Sequence, residues 1–240
     1  MSNAWYPSNK RELSEVLGKF LKAKIKPKKI NGLIVPHAGY QYSGAIAGKV
    51  FSMLKNKKNK TAVILSPSHY FAMHEIATHN QEKWSTPLGE LKILKTKIDF
   101  TKTNISIEHG IDNQIPFLQE LNFREILPLI VGELTQEQII EAAKKIAKLK
   151  AVIIVSTDLS HFLPYEQAVE RDKETINAIE SLDSNKIRYT DNCACGVFPL
   201  LIFMEICRIK KFKPKLIEYK NSGDVVGGKD SVVGYSSFVF

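Results

Sequence analysis

Between Gly32 and Gly44 the chain reads GLIVPHAGYQYSG. A short apolar run, Leu33 to Val35, ends at Pro36 and passes straight into His37, and a helical pattern follows from residue 44. Unbroken apolar runs of this length suit a strand covered on both faces, whereas a strand with one wet face alternates. His37 therefore stands at the carboxyl end of a buried strand, the place where loops converge on ligands in open α/β sheets.

The same pattern recurs along the chain. Strand-like runs occur at Ala62 to Leu65, Ile126 to Val131 and Ala151 to Val155, with helical patterns at 44–55, 111–121, 135–148, 164–181 and 197–210. Before them, residues 9–22 carry Leu13, Val16, Leu17, Phe20 and Leu21 on one helical stripe, with Asn9 and Glu12 as a capping pair. This alternation predicts a largely parallel sheet with helices on both faces. Leu216 to Lys220 and Val232 to Val239, joined by NSGDVVGGKD, predict a C-terminal hairpin and hence a mixed sheet. Residues 74–95 read as a further hairpin or extended excursion. No linker or internal repeat divides the 240 residues, so one domain over 1–240 is expected.

Composition narrows the function classes. The longest apolar stretch, Val197 to Met204, contains Pro199 and falls far short of the ~18 residues that cross a bilayer. The N-terminus has no signal-like apolar run, and three cysteines crowded into residues 193–207 make a poor disulfide framework, so a cytoplasmic protein with free thiols is expected. The net charge of +9 invites a nucleic-acid reading, with basic clusters at Lys22–Lys29, Lys55–Lys60, Lys144–Lys150 and Arg208–Lys215. Yet 29 of the 34 basic residues are lysine, and no aromatic interleaving or recognition motif accompanies them, which disfavours that reading. A dinucleotide fold is disfavoured because Gly39, Gly44 and Gly48 do not form GxGxxG.

Three of the six histidines follow strand ends: His37 in VPHAGY, His69 in LSPSHY, and His161 in VSTDLSHF, three residues after Asp158. Two histidines and a third, anionic ligand on one face of a metal leave open positions for other molecules, and a further histidine can move a proton near neutral pH. Spacing leaves the third ligand open among Asp158, Cys193 and Cys195, the two cysteines lying just before a helical pattern whose positive end favours thiolate. Glu108 and His109, in EHGIDNQ, read first as a helix cap and second as support for the site. His74 and His79 read as surface strand residues. Trp5, Tyr6, Tyr40 and Tyr42 either rim a pocket or pack in the core.

Taken in order, WYPSNKREL, VPHAGYQYSG, LSPSHY, EHGIDNQIPFLQ, STDLSHF, the Cys195–Gly196 step and NSGDVVGGKDSVVGY resemble the MEMO family, also called AmmeMemoRadiSam system protein B. The resemblance covers essentially the whole chain. It implies a three-layer αβα fold with a central mixed, mainly parallel sheet, similar to class III extradiol dioxygenases. It further implies that His37, His69 and Cys195 surround a metal position and that Asp158 and His161 line the same pocket, with Asp158 either orienting His161 through a hydrogen bond or touching the metal. In the related dioxygenases the position of His161 is a proton shuttle and the third ligand is a carboxylate. Sulfur at Cys195 alters both metal preference and redox potential. Iron(II) is the first metal expected, with copper or zinc as other occupants. The implied activities are a metal-dependent redox enzyme acting on a small or aromatic substrate, or a binding module for a peptide or modified side chain, as animal members are implicated in phosphotyrosine-peptide binding. The implied partners are an AMME-type domain and a radical-SAM protein.

Overall fold

The computed structural model describes residues 5–23 and 30–240, so most of the Lys22–Lys29 cluster lies outside the described residues. Its strands are β1 Gly32–Val35, β2 Thr61–Pro67, β3 Ile76–His79, β4 Lys83–Thr86, β5 Gly89–Ile93, β6 Thr101–Thr103, β7 Glu125–Val131, β8 Val152–Ser156, β9 His161–Leu163, β10 Lys215–Asn221 and β11 Val232–Val239. Its helices are α1 Lys10–Phe20, α2 Ala45–Phe51, α3 His109–Asp112, α4 Ile115–Glu120, α5 Gln136–Ile146, α6 Tyr165–Ser181, α7 Ser184–Tyr189, α8 Val197–Lys210 and α9 Ser222–Val226. The strands form one mixed sheet with the main order β10-β11-β1-β8-β2-β7-β3-β6.

The centre of this sheet, β1-β8-β2-β7, is wholly parallel. Antiparallel pairs flank it: β11 joins β1 and β10 on one side, and β3 joins β7 on the other. The C-terminal hairpin thus forms as expected, with α9 in its connection. The 74–95 excursion resolves into β3 and the antiparallel β4–β5 hairpin. Pro128 sits inside β7, where a missing N–H normally breaks a ladder. Here its carbonyl accepts from Thr78 Oγ1 on the outer side, where β7 changes neighbours from β5 to β3.

Successive residues of the central strands divide between two cores. Val63, Leu65, Ile153 and Val155 face α5 and α8, packing with Ile139, Ile146 and Phe203. Ala62, Ile64, Val152 and Ile154 face the other way, packing with Leu13, Leu17, Val50 and Phe117 of α1, α2 and α4. The period of two along each strand therefore makes two apolar faces, and covering both gives three layers.

Local signals set the helix ends. Asn9 Oδ1 accepts from the N–H groups of Arg11 and Glu12 at the start of α1, and Thr135 with Gln138 closes a capping box on α5. The 44–55 pattern becomes α2 followed by a 3₁₀ turn at Ser52–Leu54, preceded by a π-helical turn at Tyr40–Gly44. The 111–121 pattern splits into α3 and α4. Tyr6 and Tyr40 are buried in the core. One expectation fails: His79 is not a surface residue but only 6% exposed, its ring set against Trp84, while His74 lies exposed ahead of β3.

Candidate metal centre

The carboxyl ends of β1, β2 and β8 open into one cleft of about 500 Å³. Its walls include His37, His69, Asp158, His161 and Cys195, the five residues singled out in the sequence, together with His109 and Trp5. Larger grooves of about 720 and 770 Å³ lie elsewhere, but neither contains this group of histidines. Parallel strands bring His37, His69, Asp158 and His161 together because each strand delivers its following loop to the same edge of the sheet, and Cys195 and His109 join them from the starts of α8 and α3.

His37 is buried, and its surroundings fix its tautomer. Ser156 Oγ donates to the Gly110 carbonyl (2.6 Å) and accepts from Gln114 Nε2 (2.9 Å). Its remaining lone pair accepts from His37 Nδ1 (2.9 Å), which leaves His37 Nε2 as an acceptor. Cys195 Sγ lies 3.3 Å from that Nε2. The His37 backbone N–H donates to Asp158 Oδ1 (2.7 Å), and its carbonyl accepts from Asn113 Nδ2 (2.6 Å).

His69 is oriented through the same ring nitrogen by a different group. Glu108 is fully buried; its Oε1 accepts from His69 Nδ1 (2.6 Å) and its Oε2 from the His69 N–H (2.9 Å). Glu108 also accepts from the Gly110 N–H as the N-cap of α3, so the capping and site-supporting readings are both met by one carboxylate. A carboxylate behind the second ring nitrogen is a common support for a metal-ligating histidine.

His109 was the residue least visible in sequence. Its ring lies 4.2 Å from that of His69 and 5.2 Å from that of His37, centroid to centroid. One ligand atom from each of His37, His69 and His109 can be chosen so that all lie within 4.8 Å of one another. Trp5 stacks on His109 at 4.3 Å with an interplanar angle of 8°, which settles its position as a wall of the cleft. The only sequence signal for His109 was its place in EHGIDNQ, between a capping glutamate and a glycine.

His161 lies in β9. Asp158 does not orient its ring: His161 Nδ1 donates to the Leu159 carbonyl (2.8 Å), leaving Nε2 as the acceptor. The backbone of His161 is clamped by Asn192, whose Oδ1 accepts from its N–H and whose Nδ2 donates to its carbonyl. Cys195 Sγ accepts from the Asp158 N–H (3.3 Å) and lies 3.5 Å from Thr157 Oγ1. Cys193 points away and donates to the Ile187 carbonyl.

Burial dominates the electrostatics. It holds His37 well below the usual histidine range, helped by the other cleft histidines, and His109 at about 4. Burial lowers His161 as well. It raises Asp158 to about 7 against the opposing bonds from the His37 and Ala38 N–H groups. Cys195 is pushed up to about 12, first by burial and then by Asp158, so in the metal-free chain desolvation outweighs any thiolate-favouring effect of the nearby helix end. Neutral imidazoles are the form that binds metals.

The sequence profile of the Memo-like protein family matches residues 1–239. Relatives named "MEMO1 family protein" occur in Aquifex aeolicus, 31% identical over all of this chain and 97% of the relative, and in Methanosarcina mazei, 32% identical with the same coverage. A third, from Sulfolobus acidocaldarius, is 33% identical over 86% of this chain and 81% of the relative. With the motifs, the αβα fold and full-length similarity in agreement, the chain belongs to the Memo-like protein family.

Proposed function

We propose that the cleft holds one transition-metal ion and that the protein is a metal-dependent redox enzyme acting on a small or aromatic substrate. The observation that carries the first half is the grouping of His37, His69 and His109 ligand atoms within 4.8 Å. The donor set suits such an ion, because His37 and His69 are each pinned through Nδ1 and keep Nε2 free. Imidazole donors favour iron(II), copper or zinc over the harder cations that prefer oxygen. Iron(II) is the first choice and copper or zinc the next. Cys195 is the other candidate for third donor, and its sulfur would shift the preference toward softer metals. When bound, the ion would supply Lewis acidity and, for iron or copper, one-electron chemistry.

The chain's own residues would then manage protons and position. His161, fixed by Leu159 and Asn192, offers Nε2 as a base. Asp158, poised at about 7, anchors the His37 backbone and can hold a proton beside Cys195. Trp5 shields one face of His109 from water.

Elemental analysis of anaerobically purified protein tests the site. The expected content is about one transition metal per chain, falling severalfold in His37→Ala and His69→Ala. Full occupancy in both variants would overturn the site, and comparison of His109→Ala with Cys195→Ala identifies the third donor. Oxygen consumption with iron(II) and a substrate panel should depend on His161. A second reading, a module that binds a peptide or modified side chain, is favoured by exposed Tyr70 beside His109 and exposed Phe162 beside His161. Peptide binding that persists without metal and in His161→Ala would select it.

A further inference from the structure

The other end of the sheet is built differently. At the amino ends of β2, β7 and β8 a groove of about 770 Å³ is lined by Leu94, Ile98, Leu149 and Ala151 and rimmed by Lys95, Lys97, Lys145, Lys148 and Lys150. The four apolar residues are partly buried, each packed against the core on one side.

Neighbouring segments converge on the same end. Asn59 Nδ2 donates to the Lys150 carbonyl, the Arg124 N–H donates to the Lys60 carbonyl, and Lys92 pairs with Glu125 across the β5–β7 ladder. Residues 55–60, 92–99, 124–125 and 144–150 together hold twelve basic and two acidic side chains. That surplus matches the net charge of the whole chain, +9, so the remainder is close to neutral. These segments make a strongly positive surface around the groove, at the opposite end of the strands from the histidine cleft.

The occupant follows from chemistry. Concentrated lysines attract anions, and an apolar floor gains only from apolar side chains. Nucleic acid fits poorly, since the groove offers no aromatic ring for base stacking and its apolar floor gains nothing from a phosphate backbone. A flat anionic membrane fits poorly too, because the apolar residues lie recessed in a groove and, among the described residues, the large exposed hydrophobic side chains lie elsewhere. Of the rim lysines, Lys95 pairs with Glu82 and Lys145 with Glu141; surface pairs of this kind exchange at little cost.

We propose that this groove docks an acidic, amphipathic segment of a partner protein, its apolar side chains on Leu94, Ile98, Leu149 and Ala151 and its carboxylates on the rim lysines. The surface is independent of the metal reading, since no cleft residue takes part.

The test is fluorescence anisotropy of the full-length protein with a labelled twelve-residue peptide of repeated Glu-Glu-Leu. Binding is expected to weaken steeply with salt and to be absent for the Gln-Gln-Leu analogue. Leu149→Lys adds positive charge while blocking the floor, and should weaken binding roughly tenfold. Lys148→Glu with Lys150→Glu should weaken it further, whereas Lys173→Glu on α6, outside the groove, should leave it unchanged. Circular dichroism confirms that each variant is folded. Equal or tighter binding by Leu149→Lys, or the same loss in Lys173→Glu, would overturn the groove as the docking site. Tighter binding of a single-stranded oligonucleotide or of anionic phospholipid vesicles, insensitive to Leu149→Lys, would overturn the protein-segment reading.

Discussion

The two ends of the parallel strands face opposite demands. At the carboxyl ends, His37, Asp158 and Glu108 are buried and their polar atoms are engaged by Ser156, the His37 and Ala38 N–H groups, and His69. At the amino ends, the charges of Lys95, Lys97, Lys148 and Lys150 remain in water while apolar stems and neighbours line a groove. At the first end the hydrogen bonds join buried groups in low dielectric; at the second the hydrogen bonds and ion pairs lie at the surface, within reach of water. Sequence changes should therefore matter unequally: a lost partner is costly where water cannot replace it and nearly free where it can.

The sharpest way to break this contrast is Glu108→Ala. It leaves the His69 Nδ1–H, the His69 N–H and the Gly110 N–H without their acceptor, and a loss of about 3 kcal/mol or more is expected in denaturant unfolding. A loss no larger than that of a surface substitution would show that the cleft tolerates disruption as readily as the lysine pole.

Acid unfolding of the metal-free protein gives the next effect. His37 and His109 are shifted below the ordinary value of about 6.5, so their contribution is present above that pH and is lost as pH falls toward about 4. Asp158 has the opposite sign: its value of about 7 exceeds the ordinary value of about 3.9, so it lowers stability as pH rises through this interval. The two offset each other between about pH 4 and 7. Asp158→Asn keeps an acceptor for the His37 N–H but removes the opposing term, and the rise of unfolding midpoint with pH should become steeper. An unchanged slope would show that Asp158 titrates normally.

Phe162 tests whether the cleft's rim carries strain. It sits at φ 60°, in the left-handed region that bulky residues avoid, and is 73% exposed beside His161. Phe162→Gly should keep or raise stability, by about 1 kcal/mol at most once the entropy of glycine is subtracted, as read from the melting temperature. A clear loss would mean that the exposed ring makes a stabilising contact. The smallest effect is expected at the opposite pole, where Lys148→Glu with Lys150→Glu should change stability by less than ~0.5 kcal/mol per site. A larger change would sharpen the contrast in the other direction, by assigning these lysines a structural role.

Much of this was legible in the linear chain. Leu33–Val35, Ala62–Leu65 and Ala151–Val155 reveal buried strands because a strand covered on both faces has no place for polar residues. His37, His69, Asp158 and His161 could be nominated because parallel strands deliver their following loops to one edge, so residues distant in sequence share a cleft, whereas Cys195 was singled out from its neighbours by the family resemblance. The family followed from the order of several motifs along the chain. Less legible were Ser156, whose Oγ accepts from His37 Nδ1, and Gln114, whose Nε2 donates to that Oγ: ordinary residue types whose effect lies in the direction of these hydrogen bonds. His79 was misjudged because alternation in a short strand does not reveal what covers it, and Trp84 from the next strand lies against its ring.

The layers, the parallel centre, the family and the edge of the sheet where the chemistry gathers were all readable from periodicity, motifs and chain order. That His109 joins His37 and His69, that Gln114 and Ser156 together orient His37, and that several basic segments meet around one groove at the far end follows from the packing alone. Those outcomes depend on distances and donor directions between segments far apart in the chain, and no local pattern of residues encodes them.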